Sequence, residues 1–126
     1  MSWQGYVDNN LVGTGKVSQA AIIGLKGGVW ATSPGFNVAT NEQQAIIGGF
    51  NDPSALQASG IYASGKKYLT LQANPRSIYG KAGADGICLV KTNQAVLIAT
   101  YSSPLLPGDA NKVVEGLADY LIFVGY

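Results

Sequence analysis

Residues 61–101 read IYASGKKYLTLQANPRSIYGKAGADGICLVKTNQAVLIATY. Short runs rich in Ile, Val, Leu, Tyr and Thr alternate there with tight polar turns, which is the pattern of strands joined by hairpins. Ile61–Ala63 and Lys66–Ala73 flank the turn Ser64-Gly65. Within the second run Tyr68, Thr70 and Gln72 fall on one face and Leu69 and Leu71 on the other, as a period of two requires. Asn74-Pro75 turns the chain into a strand over 77–79, residues 82–86 form another turn, and a strand over 87–91 follows. Thr92-Asn93 is a tight turn before a last strand over 94–101. Such a succession predicts an antiparallel meander.

Outward from this stretch the period changes to that of helices. Pro107-Gly108-Asp109 opens a terminal helix with proline in its first turn. Val113, Val114, Leu117, Ala118, Leu121 and Ile122 form its apolar stripe, Lys112, Glu115 and Asp119 take the other face, and Gly125 closes it. At the other end residues 2–12 predict a short amphipathic helix. Ser2 is its N-cap, Trp3, Tyr6, Val7 and Leu11 follow helical spacing, and Gly13 and Gly15 end it. Residues 19–25 and 29–32 around Lys26-Gly27-Gly28 read as a hairpin. Thr40 and Gln43 fit a capping box for a helix over 41–50 that buries Ala45, Ile46, Ile47 and Phe50. Asn51-Asp52-Pro53 breaks it, and a short helical turn over 53–58 follows. Helices at both ends of a strand-rich middle give an α+β architecture with helices packed on the sheet.

At 126 residues the chain is expected to form one domain, 1–126. A net charge of +1 argues against general nucleic-acid binding. There is no histidine, and the acids are scattered singly, so no general base, metal set or paired carboxylates can be assembled from neighbours in sequence. The reading is therefore non-enzymatic, with no cofactor and no metal site. Gly13-Thr14-Gly15-Lys16 lacks phosphate-loop spacing and reads as a helix-ending turn. Cys88 is the only cysteine, placed in an apolar strand, so the expectation is a small buried hydrophobe and a reducing compartment. No apolar stretch follows a basic start and no run approaches a membrane span, which points to the cytosol.

Trp3 and Tyr6, Trp30, and Tyr120 and Tyr126 mark the start, one intermediate point and the end of the chain. Domain termini lie at the surface and are often close together. These rings can therefore meet in one patch that grips a ligand, since Trp and Tyr pair a flat apolar face with a polar tip. They can equally cap the core; their spacing alone leaves both readings open.

The long motifs MSWQGYVDNNLVGTGK, VWATSPGFNV, RSIYGKAGADGICLVKT and PGDANKVVEGLADYLIFVGY, in this order, resemble the profilin family, most closely its short fungal and amoeboid forms. The resemblance implies a central antiparallel sheet with the two terminal helices on one face and smaller helices on the other. It also implies a cytoplasmic, monomeric regulator of the actin cytoskeleton. Three surfaces follow from it: one for proline-rich segments of actin regulators, one for monomeric actin, and a basic one for phosphatidylinositol bisphosphate. Faster nucleotide exchange on bound actin is implied as well.

Matched residue by residue, the proline groove falls on Trp3, Tyr6, Trp30, Tyr120, Leu121 and Tyr126. A polyproline II segment is pre-formed, stacks on flat rings and leaves its carbonyls free for indole N–H and phenol O–H donors. The actin surface falls on Lys67, Gln72, Arg76, Tyr79, Lys81, Lys91, Asn111, Lys112 and Glu115. The basic members Lys67, Arg76, Lys81, Lys91 and Lys112 are also the phosphoinositide candidates, with Arg76 and Lys112 foremost. Position 72 departs from related short forms, which often carry arginine there; Gln72 keeps the hydrogen bonding and loses the charge. This departure leaves open a proline-binding or phosphoinositide-binding module with weak actin affinity. A more distant alternative is a small-molecule sensor or small enzyme, against which the missing histidine and scattered acids weigh.

Overall fold

A computed structural model of the chain describes residues 2–126. Its strands are β1 (Gln19–Gly24), β2 (Val29–Thr32), β3 (Ile61–Ala63), β4 (Lys66–Ala73), β5 (Ser77–Ala82), β6 (Asp85–Lys91) and β7 (Ala95–Tyr101). They form a seven-stranded sheet in the order β2-β1-β7-β6-β5-β4-β3. All neighbouring pairs are antiparallel. The expected meander is thus continuous from β3 to β7, and the β1–β2 hairpin docks against the free side of β7.

The central strands are apolar on both faces, which is why helices cover both. Cys88, Val90, Leu97 and Ala99 point to one side, where the N-terminal helical segment and α4 (Pro107–Phe123) bury Val7, Leu11, Val114, Leu117 and Leu121 against them. Ile87, Leu89, Val96 and Ile98 point to the other side, against Ile46, Phe50 and Leu56 of α2 (Thr40–Asn51) and α3 (Ser54–Ser59). Every residue of β7 is buried, so this strand anchors both cores. Truncation of a side chain such as Ile98 to alanine costs about 2–5 kcal/mol. The arrangement is the α+β fold expected from the sequence.

The local departures have physical causes. The N-terminal helix is composite: α1 (Trp3–Gly5) passes into a π-helical turn, Tyr6–Leu11, and then a 3-10 turn, Val12–Thr14. Ser2 caps it as expected, its Oγ accepting from the Gly5 N–H at 3.0 Å. Gly15, at φ 76°, ends it. The cap of α2 differs from the expected Thr40–Gln43 box. Ala39 precedes the helix, and the Glu42 carboxylate accepts from its N–H at 2.9 Å. The Gln43 amide is used for tertiary structure instead, accepting from the Gly28 N–H at 3.0 Å and donating to the Val38 carbonyl at 2.8 Å. Ile46 and Phe50 are buried as expected, whereas Ile47 is half-buried and Ala45 exposed. Gly49 takes a core position because a Cβ there would lie 2.2 Å from Leu56.

Two β-bulges matter most. In the β1–β2 pair Ile22 faces Ala31 and Ile23 faces Val29, so Trp30 is the extra residue. In the β4–β5 pair Thr70 faces Gly80 and Gln72 faces Tyr79, so Leu71 is the extra residue. The second bulge overturns the expected alternation of residues 67–72. Tyr68 and Thr70 face α3, Thr70 through a 2.6 Å hydrogen bond to the Leu56 carbonyl. Gln72 is carried to the opposite side, beside Tyr79. Bulges re-aim side chains in this way.

Candidate functional site

The aromatic residues of both chain ends and of β2 meet on the surface. The Trp3 ring lies 4.7 Å from Trp30, 5.1 Å from Tyr126 edge-on and 5.6 Å from Tyr6. Tyr6 in turn lies 6.4 Å from Tyr120. These spacings are those of attractive ring pairs, so the strip is held together by its own contacts. Trp30, Tyr120 and Tyr126 are exposed and Trp3 and Tyr6 half-buried, leaving ring faces for a ligand. Burial, with Tyr120 and Tyr126 alongside, raises the Tyr6 pKa, so its hydroxyl remains a donor at neutral pH. Leu121 departs from the expectation: it is fully buried beneath the strip and supports the rings without presenting surface.

Several residues that hold the strip were not singled out by sequence. Gly24 lies under the Trp30 indole, where a Cβ would stand 2.7 Å from Nε1. The Thr92 hydroxyl and the Gln94 N–H donate to the Tyr126 carbonyl at 2.9 and 2.7 Å. The Gln4 amide donates to the Thr32 carbonyl at 2.9 Å, tying the N-terminal helix to β2. Glycine, threonine and glutamine in these roles carry no pattern that a sequence reading can distinguish from ordinary turns.

The candidates for the second surface separate into three places. Gln72, Tyr79, Lys81 and Asn111 meet around a shallow depression that Leu71 and Asp85 also line. Leu69 and Leu71 stand beside it at 64% and 65% exposure, an unusual display of leucine on one strand. The Asn111 Oδ1 is buried at this depression with no hydrogen-bond partner among the described residues. Lys67 lies apart on the edge hairpin, opposite Tyr62. Lys81 pairs with Gly86 and Lys91 with Val96, at opposite ends of β6. That separation is about 17 Å at the ~3.4 Å rise of a strand. Lys112 lines the groove between the terminal helices with Tyr6, Asn10 and Gly116.

Arg76 and Glu115 are engaged with each other, which their sequence positions do not reveal. The Arg76 guanidinium reaches Glu115 at 3.1 Å and Asp119 at 2.7 Å. Glu115 also accepts from the Ser77 hydroxyl at 2.7 Å and from the Tyr79 hydroxyl. The hydrogen bond to Asp119 is the main cause of a raised Arg76 pKa. Burial, reinforced by Glu115, pushes the Tyr79 phenol well above its ordinary range. This network bolts α4 to β5. The single Arg76 charge is met by two carboxylates, so Arg76 offers little to an outside anion while the network is intact. Cys88 is buried behind it, its thiol pushed up by burial.

The profilin family model matches residues 1–126. The chain belongs to the profilin family. Profilin-1B of Acanthamoeba castellanii is 53% identical over 126 residues, covering 100% of both chains. The profilin of Schizosaccharomyces pombe is 49% identical over 127 residues, again covering 100% of both. The solved structure of Acanthamoeba castellanii profilin IB superposes with a TM-score of 0.97 at 52% identity, covering 99% of this chain and 100% of that one. A mouse profilin IIa at 22% identity shares the fold with a TM-score of 0.84. Within this profilin frame the aromatic strip and the β4–β6 face lie on two distinct parts of the surface, joined by α4. Among the described residues no group of His, Cys, Asp and Glu could hold a metal ion. No described helix is long and apolar enough to cross a membrane.

Proposed function

We propose that this profilin is a cytoplasmic, monomeric adaptor that binds an actin monomer on one surface and a proline-rich segment on another, without catalysis of its own. The observation that carries the reading is the aromatic strip, in which Trp3 contacts Trp30, Tyr6 and Tyr126 on an exposed face. A polyproline II segment fits it because its flat pyrrolidine rings need no reordering on binding and its carbonyls find phenol and indole donors. The mouse relative of the same fold is in complex with a double repeat from the FH1 domain of mDia1.

The actin surface is the depression formed by Gln72, Tyr79, Lys81 and Asn111, with Leu69 and Leu71 as apolar contacts. The Asn111 Oδ1 is buried at its floor and unpartnered among the described residues, so a partner's donor reaches it only if the depression opens on binding. Lys81 and Lys112 favour an acidic partner by raising the encounter rate. Linking the two partners through one small domain raises the local concentration of actin where the proline-rich protein works. Phosphoinositide contact is secondary. Lys67, Lys81, Lys91 and Lys112 are spread over separate edges, each adding ~1 kcal/mol near an anionic bilayer. Arg76 belongs to the internal network and joins the lipid surface only if that network opens.

The test is binding of a proline decamer to the parent protein and to Trp3→Ala, followed by intrinsic fluorescence. Loss of binding with an unchanged thermal transition supports the groove. Equal affinity in the two proteins refutes it.

A further inference from the structure

The aromatic strip continues past Trp30. A cleft opens beside the indole, lined by Gly24, Lys26, Gly27, Asn93 and Gln94. Gln94 is fixed there by its backbone bond to Tyr126 and by its side-chain amide, which donates to the Gly125 carbonyl at 3.3 Å. The cleft wall is thereby tied to the last ring of the strip. Gly27 and Gly28, at φ 94° and 92°, shape the turn that presents Lys26. Lys26 is exposed, is the only charge lining the cleft and takes part in no ion pair among the described residues.

The ring-to-ring steps from Trp30 through Trp3 and Tyr6 to Tyr120 are 4.7, 5.6 and 6.4 Å. At ~3.1 Å per residue these steps span no more than about six residues of polyproline II. A ligand whose proline run just fills the strip therefore places a flanking residue beyond each end of it, one of them in the cleft. Prolines carry no charge, so the flanking residue is the one that Lys26 can select by sign.

We propose that the cleft beside Trp30 is a specificity subsite, in which Lys26 selects proline-rich ligands that carry an acidic residue next to the proline run. This rests on the aromatic strip being the proline groove. The far end of the strip opens onto Lys112 in the interhelical groove. Selection at that end is independent of Lys26, so the assignment is made by the Lys26 variants.

The experiment measures affinity for peptides of about six prolines, flanked on either side by Gly, Asp or Lys, at low and high salt. Proteins are the parent, Lys26→Gln, Lys26→Glu and Trp3→Ala. Asp at one flank is expected to tighten binding about two- to five-fold over Gly at low salt, the range of an exposed ion pair. Lys26→Gln erases that difference, and Lys26→Glu transfers the preference to the Lys-flanked peptide. Trp3→Ala weakens all peptides alike. Equal affinity of the Asp and Gly peptides for the parent, or a gain that survives both Lys26 variants at both flanks, overturns the subsite while leaving the groove intact. Failure of every peptide to bind the parent overturns the groove reading, and the subsite with it.

Discussion

Two bulges, one in β2 and one in β4, serve two different kinds of surface. At the first, the extra residue is Trp30, which leaves the strand alternation to lie across Gly24 and against Trp3. At the second, the extra residue is Leu71, and the register slip turns Gln72 to the side of Tyr79. The β2 region builds a strip of rings that pack on one another and needs no charge. The β4 region builds a mixed face in which the strongest charges, Arg76 and Glu115, are spent on each other. The difference teaches that the rings of the strip are held in place by one another, as the proposed binding of a stiff apolar ligand requires. The other face presents Leu69 and Leu71 beside the Gln72 and Asn111 amides, Tyr79 and Lys81.

The largest expected effect breaks the second region from within. Glu115→Ala leaves the Arg76 guanidinium and the Tyr79 hydroxyl without their shared acceptor. Because Arg76 is partly exposed, the expected loss of stability is about 1–3 kcal/mol, read by denaturant unfolding at unchanged slope. Trp3→Ala comes next: about 2 kcal/mol of proline affinity is lost as for a buried hot-spot aromatic, while actin binding is retained. Gly24→Ala sharpens the contrast. Its methyl group displaces the Trp30 indole, so proline affinity falls by about 1 kcal/mol while the thermal transition barely moves, because the neighbour that must yield is a partly exposed side chain.

Gln72→Arg tests the other bulge. It adds charge beside Tyr79 and tightens actin or anionic-lipid binding by about 0.5 kcal/mol at low salt, with the gain fading as salt rises. A salt-independent affinity would refute the electrostatic account. The smallest effect is on pH dependence. The Tyr79 phenol has a raised pKa in the folded protein, so its contribution to stability is complete below the ordinary phenol pKa of ~10 and declines as pH rises above it. Tyr79→Phe removes that contribution, and its melting temperature therefore falls less between neutral and alkaline pH than that of the parent.

The strands, both terminal helices and the hairpin turns were legible because each has a period or a turn residue that acts locally. The Ser64-Gly65 and Lys26-Gly27-Gly28 turns and Pro107 at the start of α4 are of this kind. The bulges at Trp30 and Leu71 were not legible, because they are properties of a pair of strands and leave the alternation of each strand looking regular. The π-helical turn at Tyr6–Leu11 escaped for a similar reason: an apolar stripe of four positions fits either helix type. In the aromatic strip five of six residues are exposed or half-exposed as expected, while Leu121 lies beneath it. In the second surface Arg76 and Glu115 looked like free charges because their partners are 39 residues apart in sequence.

The measurement that tests the central claim most directly is binding of monomeric actin with and without a saturating proline-rich peptide. Two surfaces on different parts of the molecule predict that actin binds in both conditions with closely similar affinity. Peptide binding without actin binding, or displacement of actin by the peptide, would contradict the adaptor account, with Gln72 the first residue to exchange.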